Sequence, residues 1–429
     1  MIQMYKYLLA VVLILVVSVE MSARRISEDE AYQKAAQFMG VRSAMSPALS
    51  AMSRSETEGS YYAFNRSGGG FVIVSASDLT DSIIGYSRTG MIAPENIPEN
   101  FATFMKSHAE ILEFAEQNNI DCRSARSRSQ ERANIEPLVE TRWNQWYPYN
   151  MFCHTMDGQP APSGCVAVTM AQIMAYHKSD YFPEGIFDNN CDQVFDFDTC
   201  RINYDNLCPT YSFDGYETEE QKTEVARLMK ICGYMANMQY YTNESRAHPS
   251  YIMTRLVRHY NYDESADFIW RMNYDNQEDW ENDIYESLAH SWPVPYDAQN
   301  AYGSGHSWVC DGYEDGYFHM NWGWGGACDG YFKITALQVA DKDYNCAGWD
   351  SEFWKSHRAI INLRPKGRSG EEDDPATIED IQAEGHGTIT IYDLTGRLNY
   401  SGNPDDANSL LKGIYIVRNG RSVRKILVR

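Results

Sequence analysis

Two stretches with almost no apolar side chains divide the chain and indicate that it is built from several units. Residues 123–132 carry four arginines among serine, glutamine and glutamate, and residues 366–375 combine glycine, charged residues and a proline. Neither stretch has side chains to bury, which predicts two exposed linkers. The chain of 429 residues is also longer than one ordinary domain. We therefore expect an N-terminal unit, a large central unit and a small C-terminal unit.

The first 23 residues have the pattern of a signal peptide. Lys6 supplies a positive charge, residues 8–17 form an uninterrupted apolar run, and residues 21–23 provide small side chains for cleavage. The run is short for a membrane span, and a retained N-terminal anchor is the alternative.

Composition limits the function classes further. The formal net charge of -22 repels phosphate backbones, so nucleic acid is excluded as a partner. The ten cysteines include no C-x-x-C pair, and the chain has no H-E-x-x-H motif, so no metal site is expected. Export permits disulfides, but most cysteines are expected to be buried thiols.

The two flanking units have short-range structural signals. In the N-terminal unit, Ser27 is placed to begin a helix, strands are predicted at residues 71–75 and 83–86, and an amphipathic helix at 101–114. This indicates a small α+β unit. Beyond the second linker, strands are predicted at 388–392, 413–417 and 425–428, which indicates a small all-β module.

In the central unit, one cysteine stands at the start of a predicted apolar helix. Pro160 and Pro162 keep the preceding chain extended, Gly164 lets another group approach closely, and Cys165 opens a helical pattern. A helix N-terminus favours a thiolate. The alternative is a core cysteine at a helix start.

A cysteine nucleophile needs a base, and His306 has the most suitable context of the ten histidines. Glycines precede it and a strand-like run follows, which would place the imidazole at a strand start facing a cleft. Asn321 is placed to accept the other imidazole N–H, and the tryptophans beside it, Trp322 and Trp324, would shield that bond. A core strand with a tight hairpin is the alternative for this segment. His177 and His319 are expected to be structural.

Together these motifs resemble the streptopain-like (C10) family of papain-like cysteine peptidases. The resemblance is carried by residues 164–177, by 305–312, and by 321–332 with its Trp-Gly repeat. It implies an α+β fold in which a helical part carries Cys165 and an antiparallel β part carries His306. It also suggests Gln145 as the side-chain donor of an oxyanion hole. Either Asn321 or Trp324 would then orient His306.

The resemblance extends to both flanking units. Residues 70–87 are similar to the family's propeptide, and the tail is similar to a type IX secretion sorting domain of sandwich-like β structure. The domains implied are a signal peptide (1–23), an inhibitory propeptide with an Arg-rich processing linker (24–132), a peptidase (133–365), a linker (366–384) and a sorting domain (385–429). A generic β-module is the alternative for the tail.

The chain is thus expected to be a secreted or surface-attached endopeptidase zymogen, exported through the periplasm. Its partners would be protein or peptide substrates, its own propeptide and the type IX machinery, with no cofactor. A thiolate–imidazolium pair would lower the pKa of Cys165 below about 8.5. The alternatives are an inactive binding protein on the same scaffold, and a transpeptidase or amidase.

Overall fold

The computed structural model describes most of the chain in twelve segments. They are residues 25–40, 45–47, 59–118, 132–212, 215–299, 305–334, 357–366, 376–377, 389–393, 397–403, 413–419 and 422–428. The predicted signal peptide, residues 123–131 of the first linker and residues 367–375 of the second lie outside the described residues.

The N-terminal unit is the small α+β unit expected from the sequence. Its elements are α1 (Glu28–Phe38), β1 (Met45–Pro47), β2 (Tyr61–Arg66), β3 (Phe71–Ser75), β4 (Ile83–Ser87) and α2 (Glu99–Asn118). Ser27 caps α1, because its side chain accepts the N–H of Glu30. All five residues of β3 and all five of β4 are buried. The strands therefore lie inside the molecule rather than at its surface.

The central unit combines helices with a mainly antiparallel sheet. Its helices are α3 (Cys165–His177), α4 (Glu219–Met235), α5 (Ser250–His259) and α6 (Gln277–Ala289). Its strands are β5 (Thr155–Met156), β6 (Gln159–Pro160), β7 (Ile186–Asp188), β8 (Val194–Asp196), β9 (Gln239–Tyr240), β10 (Ser245–Arg246), β11 (Asp267–Trp270), β12 (Val294–Gln299), β13 (Gly305–Glu314), β14 (Tyr317–Asn321), β15 (Gly330–Phe332) and β16 (Arg358–Ile361).

One ten-stranded sheet runs through both units, in the order β1-β2-β3-β4-β15-β14-β13-β12-β16-β11. The two units meet where β4 pairs antiparallel with β15, with Tyr86 opposite Tyr331 and Gly85 opposite Phe332. Gly85 is required at this junction, because a Cβ there would come within 2.3 Å of the Phe332 ring. The N-terminal unit is thus continuous with the enzyme sheet.

Two large cores lie on the sheet. One surrounds α3 and includes Val309 of β13 together with residues of α4 and α5. The other joins Phe101, Phe104 and Met105 of α2 to buried tryptophans of the central unit. Helix α2 therefore contributes to a core shared with the central unit, and burial of each large side chain stabilises their contact by about 1.5–3 kcal/mol.

The described part of the C-terminal unit forms one five-stranded sheet. Its strands are β17 (Ala376–Thr377), β18 (Ile389–Tyr392), β19 (Leu398–Gly402), β20 (Gly413–Asn419) and β21 (Ser422–Val428), in the order β17-β21-β20-β18-β19. The three predicted strands are present. The sandwich expected for this unit remains a prediction.

None of the helices described is both long and apolar enough to cross a membrane. The eight cysteines described are all free thiols, of which four are buried, three partly buried and one, Cys191, exposed.

Candidate active site

Cys165 is the first residue of α3, as the sequence predicts. Gly164 precedes it with φ 88°, and a Cβ at this position would lie 2.8 Å from the Met238 sulfur and 3.2 Å from the Ser245 Cβ. Only glycine fits such a backbone conformation in this space. Most of α3 is buried, so the helix holds Cys165 rigidly against the sheet.

Strand β13 meets the N-terminus of α3 at the sulfur of Cys165. Val309 of β13 lies in the core around α3, against which Cys165 packs, and the backbone N–H of Ser307 lowers the pKa of the Cys165 thiol. His306 is the residue before Ser307 and lies opposite Ala298 of β12. The fold therefore brings the segment that carries the predicted base to the predicted nucleophile, although the two are far apart in sequence.

The surroundings of both groups shift their pKa values towards the neutral forms. Burial raises the pKa of the Cys165 thiol, and the Asp297 carboxylate adds to the rise, whereas backbone N–H groups of Ser307 and Val166 oppose it. Burial lowers the pKa of His306 to about 4, against an opposing effect of Glu244. The expected lowering of the thiol pKa by an ion pair is therefore not found here, because burial dominates for both groups.

Gln145 lies on a segment that is hydrogen-bonded to the approach to Cys165. Its carbonyl oxygen accepts the backbone N–H of Ser163 at 2.9 Å and the Ser163 hydroxyl at 3.3 Å. Its own N–H donates to the side-chain oxygen of Asn144 at 2.6 Å. Gln145 is thus bonded to Ser163, which lies two residues before Cys165. The Gln145 residue is partly exposed.

A buried network of amide groups lies behind these residues, formed by Thr141, Trp143, Gln172 and Asn321. Asn321 donates to the Thr141 carbonyl at 2.7 Å and accepts from Gln172 at 3.3 Å. The Gln172 oxygen in turn accepts the Trp143 N–H at 3.3 Å and the Thr141 hydroxyl at 3.2 Å. This amide network connects α3, the end of β14 and the segment before Gln145.

The two tryptophans after Asn321 have different surroundings. Trp322 is fully buried, and its indole N–H donates to the Cys328 carbonyl at 2.8 Å. Trp324 is half-buried, on the glycine-rich loop that packs on α3: a Cβ at Gly323 would lie 3.0 Å from Val168. Trp322 is therefore a core residue, whereas Trp324 is partly exposed.

A buried ion pair joins β12, the strand next to β13, to β16. Asp297 faces Ser307 across the β12–β13 pair, and its carboxylate lies 2.5 Å from Nε of Arg358. Burial raises the pKa of Asp297 to about 7, against the opposing effect of Arg358. The Arg358 guanidinium also stacks 4.9 Å from the Trp270 ring. This carboxylate is the nearby negative charge that disfavours the Cys165 thiolate.

His319 and His177 both make structural contacts, as expected. Nδ1 of His319 lies 2.6 Å from the buried Asp311 carboxylate, whose second oxygen accepts the Val139 N–H at 2.9 Å. Nδ1 of His177 lies 3.0 Å from the Tyr262 hydroxyl. The described residues contain no cluster of three or more side chains able to hold a metal ion.

The N-terminal unit covers the tryptophan loop from one side. The Asn100 side chain donates to the Trp322 carbonyl, and Phe101 packs on the Trp322 ring at 5.7 Å. Farther out, Arg88 binds Glu314 through two guanidinium nitrogens, one of them at 2.8 Å from the carboxylate. The unit is thus fixed to the enzyme through the elements that carry the candidate site.

Sequence reasoning did not find Gln172, Asp297 or Ser307 as site residues. Gln172 had a signal, since it is a polar residue two turns after Cys165 in an apolar helix. Asp297 and Ser307 become neighbours only through the register of β12 and β13. No spacing in the sequence reveals that pairing.

These features define a papain-like cysteine peptidase in its zymogen form. The Peptidase C10 family matches residues 143–332, and the family described as Spi protease inhibitor matches residues 23–126. Streptopain of Streptococcus pyogenes is 32% identical over 332 residues, which cover 71% of this chain and 80% of streptopain. The chain belongs to the Peptidase C10 family and carries an inhibitor-like propeptide.

Two further relatives support this assignment. The thiol protease/hemagglutinin PrtT of Porphyromonas gingivalis is 28% identical over 362 residues, covering 79% of this chain and 39% of that protein. The structure of a prointerpain A fragment from Prevotella intermedia superposes with a TM-score of 0.62 at 25% identity, covering 75% of this chain and all of the fragment. Its match supports the fold of propeptide and peptidase together.

Proposed function

We propose that the chain is a secreted endopeptidase in which Cys165 is the nucleophile and His306 its general base and acid. The observation that carries this proposal is the packing of β13, which begins beside His306, on α3, which begins at Cys165: Val309 of β13 lies in the core around α3. The effect of the Ser307 backbone on the pKa of Cys165 supports the same arrangement. Membership of the Peptidase C10 family supports the same pair.

The reaction is acyl transfer to water. After removal of the propeptide, His306 takes the thiol proton, and the thiolate attacks the peptide carbonyl carbon. The Gln145 side chain and the Cys165 N–H stabilise the oxyanion, each donor contributing about 3–4 kcal/mol. The imidazolium protonates the departing amine, which leaves a thioester on Cys165. Water, deprotonated by His306, then hydrolyses the thioester and restores the thiol.

The roles of Asn321 and Trp324 divide according to their surroundings. Asn321 uses its amide in the buried network, which supports a role in holding the site together. Trp324 is half-buried on the loop beside α3, which supports it as the residue that orients or shields His306.

Trp324→Ala is expected to lower kcat with a small effect on thermal stability. Asn321→Ala should lower both kcat and thermal stability.

Mass spectrometry of the purified full-length protein with a thiol-directed epoxysuccinyl inhibitor tests the assignment. We expect loss of the N-terminal segment under reducing conditions and one adduct on Cys165. An adduct without self-cleavage assigns maturation to another protease. No adduct, even after the N-terminal segment is cut away, would contradict the proposal and favour the inactive binding scaffold. Aminolysis products formed with added amines would indicate a transpeptidase instead.

We also propose that residues 1–23 direct export and that residues 385–429 are a type IX sorting domain. The strands β18, β20 and β21 in the predicted positions support a β-module there. In a cell that has this secretion system, deletion of residues 385–429 should leave the protein in the periplasm. Unchanged secretion of the deleted form would contradict the sorting role.

A further inference from the structure

Arg132, the last arginine of the Arg-rich stretch, is largely buried against the peptidase. Its side chain contacts Glu281, Asn282, Tyr285 and Tyr313. Its side chain is only 9% exposed. The guanidinium binds the Asn282 side chain, lies 3.6 Å from the Glu281 carboxylate, and stacks 5.2 Å from the Tyr285 ring and 5.7 Å from the Tyr313 ring. Each of these partners belongs to α6 or β13 of the peptidase.

The residues after Arg132 continue along β13. Ile135 exchanges two backbone hydrogen bonds with Tyr313, at 2.7 and 2.8 Å. The Ala133 carbonyl accepts the Tyr285 hydroxyl at 3.2 Å. Leu138 donates its N–H to the Asp311 carbonyl at 2.9 Å. A protease needs an extended, unoccupied backbone on both sides of the bond it cuts, and here that backbone already has partners.

We propose that maturation cuts the chain on the N-terminal side of Arg132, so that the mature enzyme keeps Arg132 as the anchor of its N-terminal segment. The cut hydrolyses a peptide bond after Arg123, Arg126 or Arg128, leaving a carboxylate on the propeptide and an α-amine on the enzyme. The retained guanidinium then links α6 to Tyr313, near the end of β13. His306 lies near the start of the same strand. The inference rests on processing of the zymogen.

Limited trypsin digestion of the full-length Cys165→Ala protein tests the position of the cut. Trypsin accepts every arginine in an exposed segment, so the fold alone decides which bonds are cut. Cleavage after Arg132 should be at least about tenfold slower in the native protein than in the heat-denatured protein, because in the native protein it requires local opening. Equal rates of cleavage after Arg132 in the two states would overturn the proposal.

The inactive variant makes this test independent of catalysis, so its failure is distinct from failure of the proposed function. N-terminal sequencing of the naturally processed enzyme is the second measurement. We expect the mature chain to begin at or before Arg132, and a first residue at Ala133 or later would overturn the retention of Arg132.

The anchoring role has its own control. Arg132→Ala should lower the Tm of the processed enzyme, with Arg132→Lys intermediate because the ammonium cannot form the planar contacts. Arg258→Ala, at an exposed position of α5, is the control and should leave the Tm unchanged. An unchanged Tm in Arg132→Ala would overturn the anchor.

Discussion

At the scale of single residues, we propose that the site separates groups that act on substrate from groups that hold them in place. Gln145 is partly exposed beside the nucleophile, whereas Gln172 is fully buried. Both are glutamines within reach of the same elements, yet only the first can contact a bound peptide. Their substitutions should therefore have different signatures.

Gln145→Ala should lower kcat by about 10²–10³-fold, because one of the oxyanion donors is lost. Its thermal stability should stay close to that of the parent. Kinetics on a peptide substrate, together with a thermal melt, measure both effects. Gln159→Ala, at an exposed position of the β5–β6 hairpin, is the matched control. A loss of less than threefold, within the scatter of surface variants, would remove Gln145 from the oxyanion hole.

Gln172→Leu should instead destabilise the protein by about 1–3 kcal/mol, because the Trp143 N–H and the Asn321 amide lose their buried partner. Denaturant unfolding of the Cys165→Ala background measures this without self-digestion. Unfolding free energies that agree within error would show that the amide network contributes nothing to stability.

At the scale of elements, local signals in the sequence predicted the secondary structure better than its assembly. The strand at residues 71–75 and the start of α1 at Ser27 are confirmed, since they depend on neighbouring residues. The β4–β15 pairing was not predicted, because it joins segments on either side of the first linker. The position of Asp297 opposite Ser307 was not predicted either, because it depends on the register of β12 and β13, whereas the assignments of Cys165 and His306 stay predictions.

The shared core predicts that α2 holds the propeptide in place. Phe104 is fully buried against Trp322 and Trp308. Phe104→Ala should weaken propeptide docking by about 3–5 kcal/mol. Full-length protein with this change should show faster processing and higher basal activity. The mature enzyme has no Phe104, so its kcat should be unchanged. Met91→Ala, at an exposed propeptide position, is the control, and equal processing rates would contradict the role of α2.

At the scale of the whole molecule, we expect the contact between propeptide and enzyme to weaken in acid. Burial lowers the pKa of His108 on α2 to about 4, and burial together with the charge of His108 lowers the pKa of His357 in the enzyme to about 3. Across the same contact, burial would raise the pKa of Glu314, but bonds from Arg88 and Tyr86 outweigh it and hold it below its ordinary value.

His108 and Glu314 act in the same direction. When the propeptide is undocked, His108 binds a proton below about pH 6.5, whereas burial keeps docked His108 neutral down to about pH 4, so docking weakens as the pH falls through this range. Protonation of Glu314 removes the ion pair at still lower pH. In the Cys165→Ala zymogen, propeptide dissociation should increase from pH 7 to pH 4.5. His108→Gln should flatten this dependence, and an identical pH profile in that variant would contradict it.

The central claim is that removal of the propeptide converts a neutral thiol and imidazole into a reactive pair. The pH dependence of Cys165 alkylation, followed by mass spectrometry in the full-length protein and in the processed enzyme, tests it most directly. In the full-length protein, alkylation should become fast only at alkaline pH, because the pKa of the thiol is raised. In the processed enzyme, it should be fast at neutral and mildly acidic pH, and His306→Ala should abolish that reactivity. The same alkaline profile in both forms would contradict the claim.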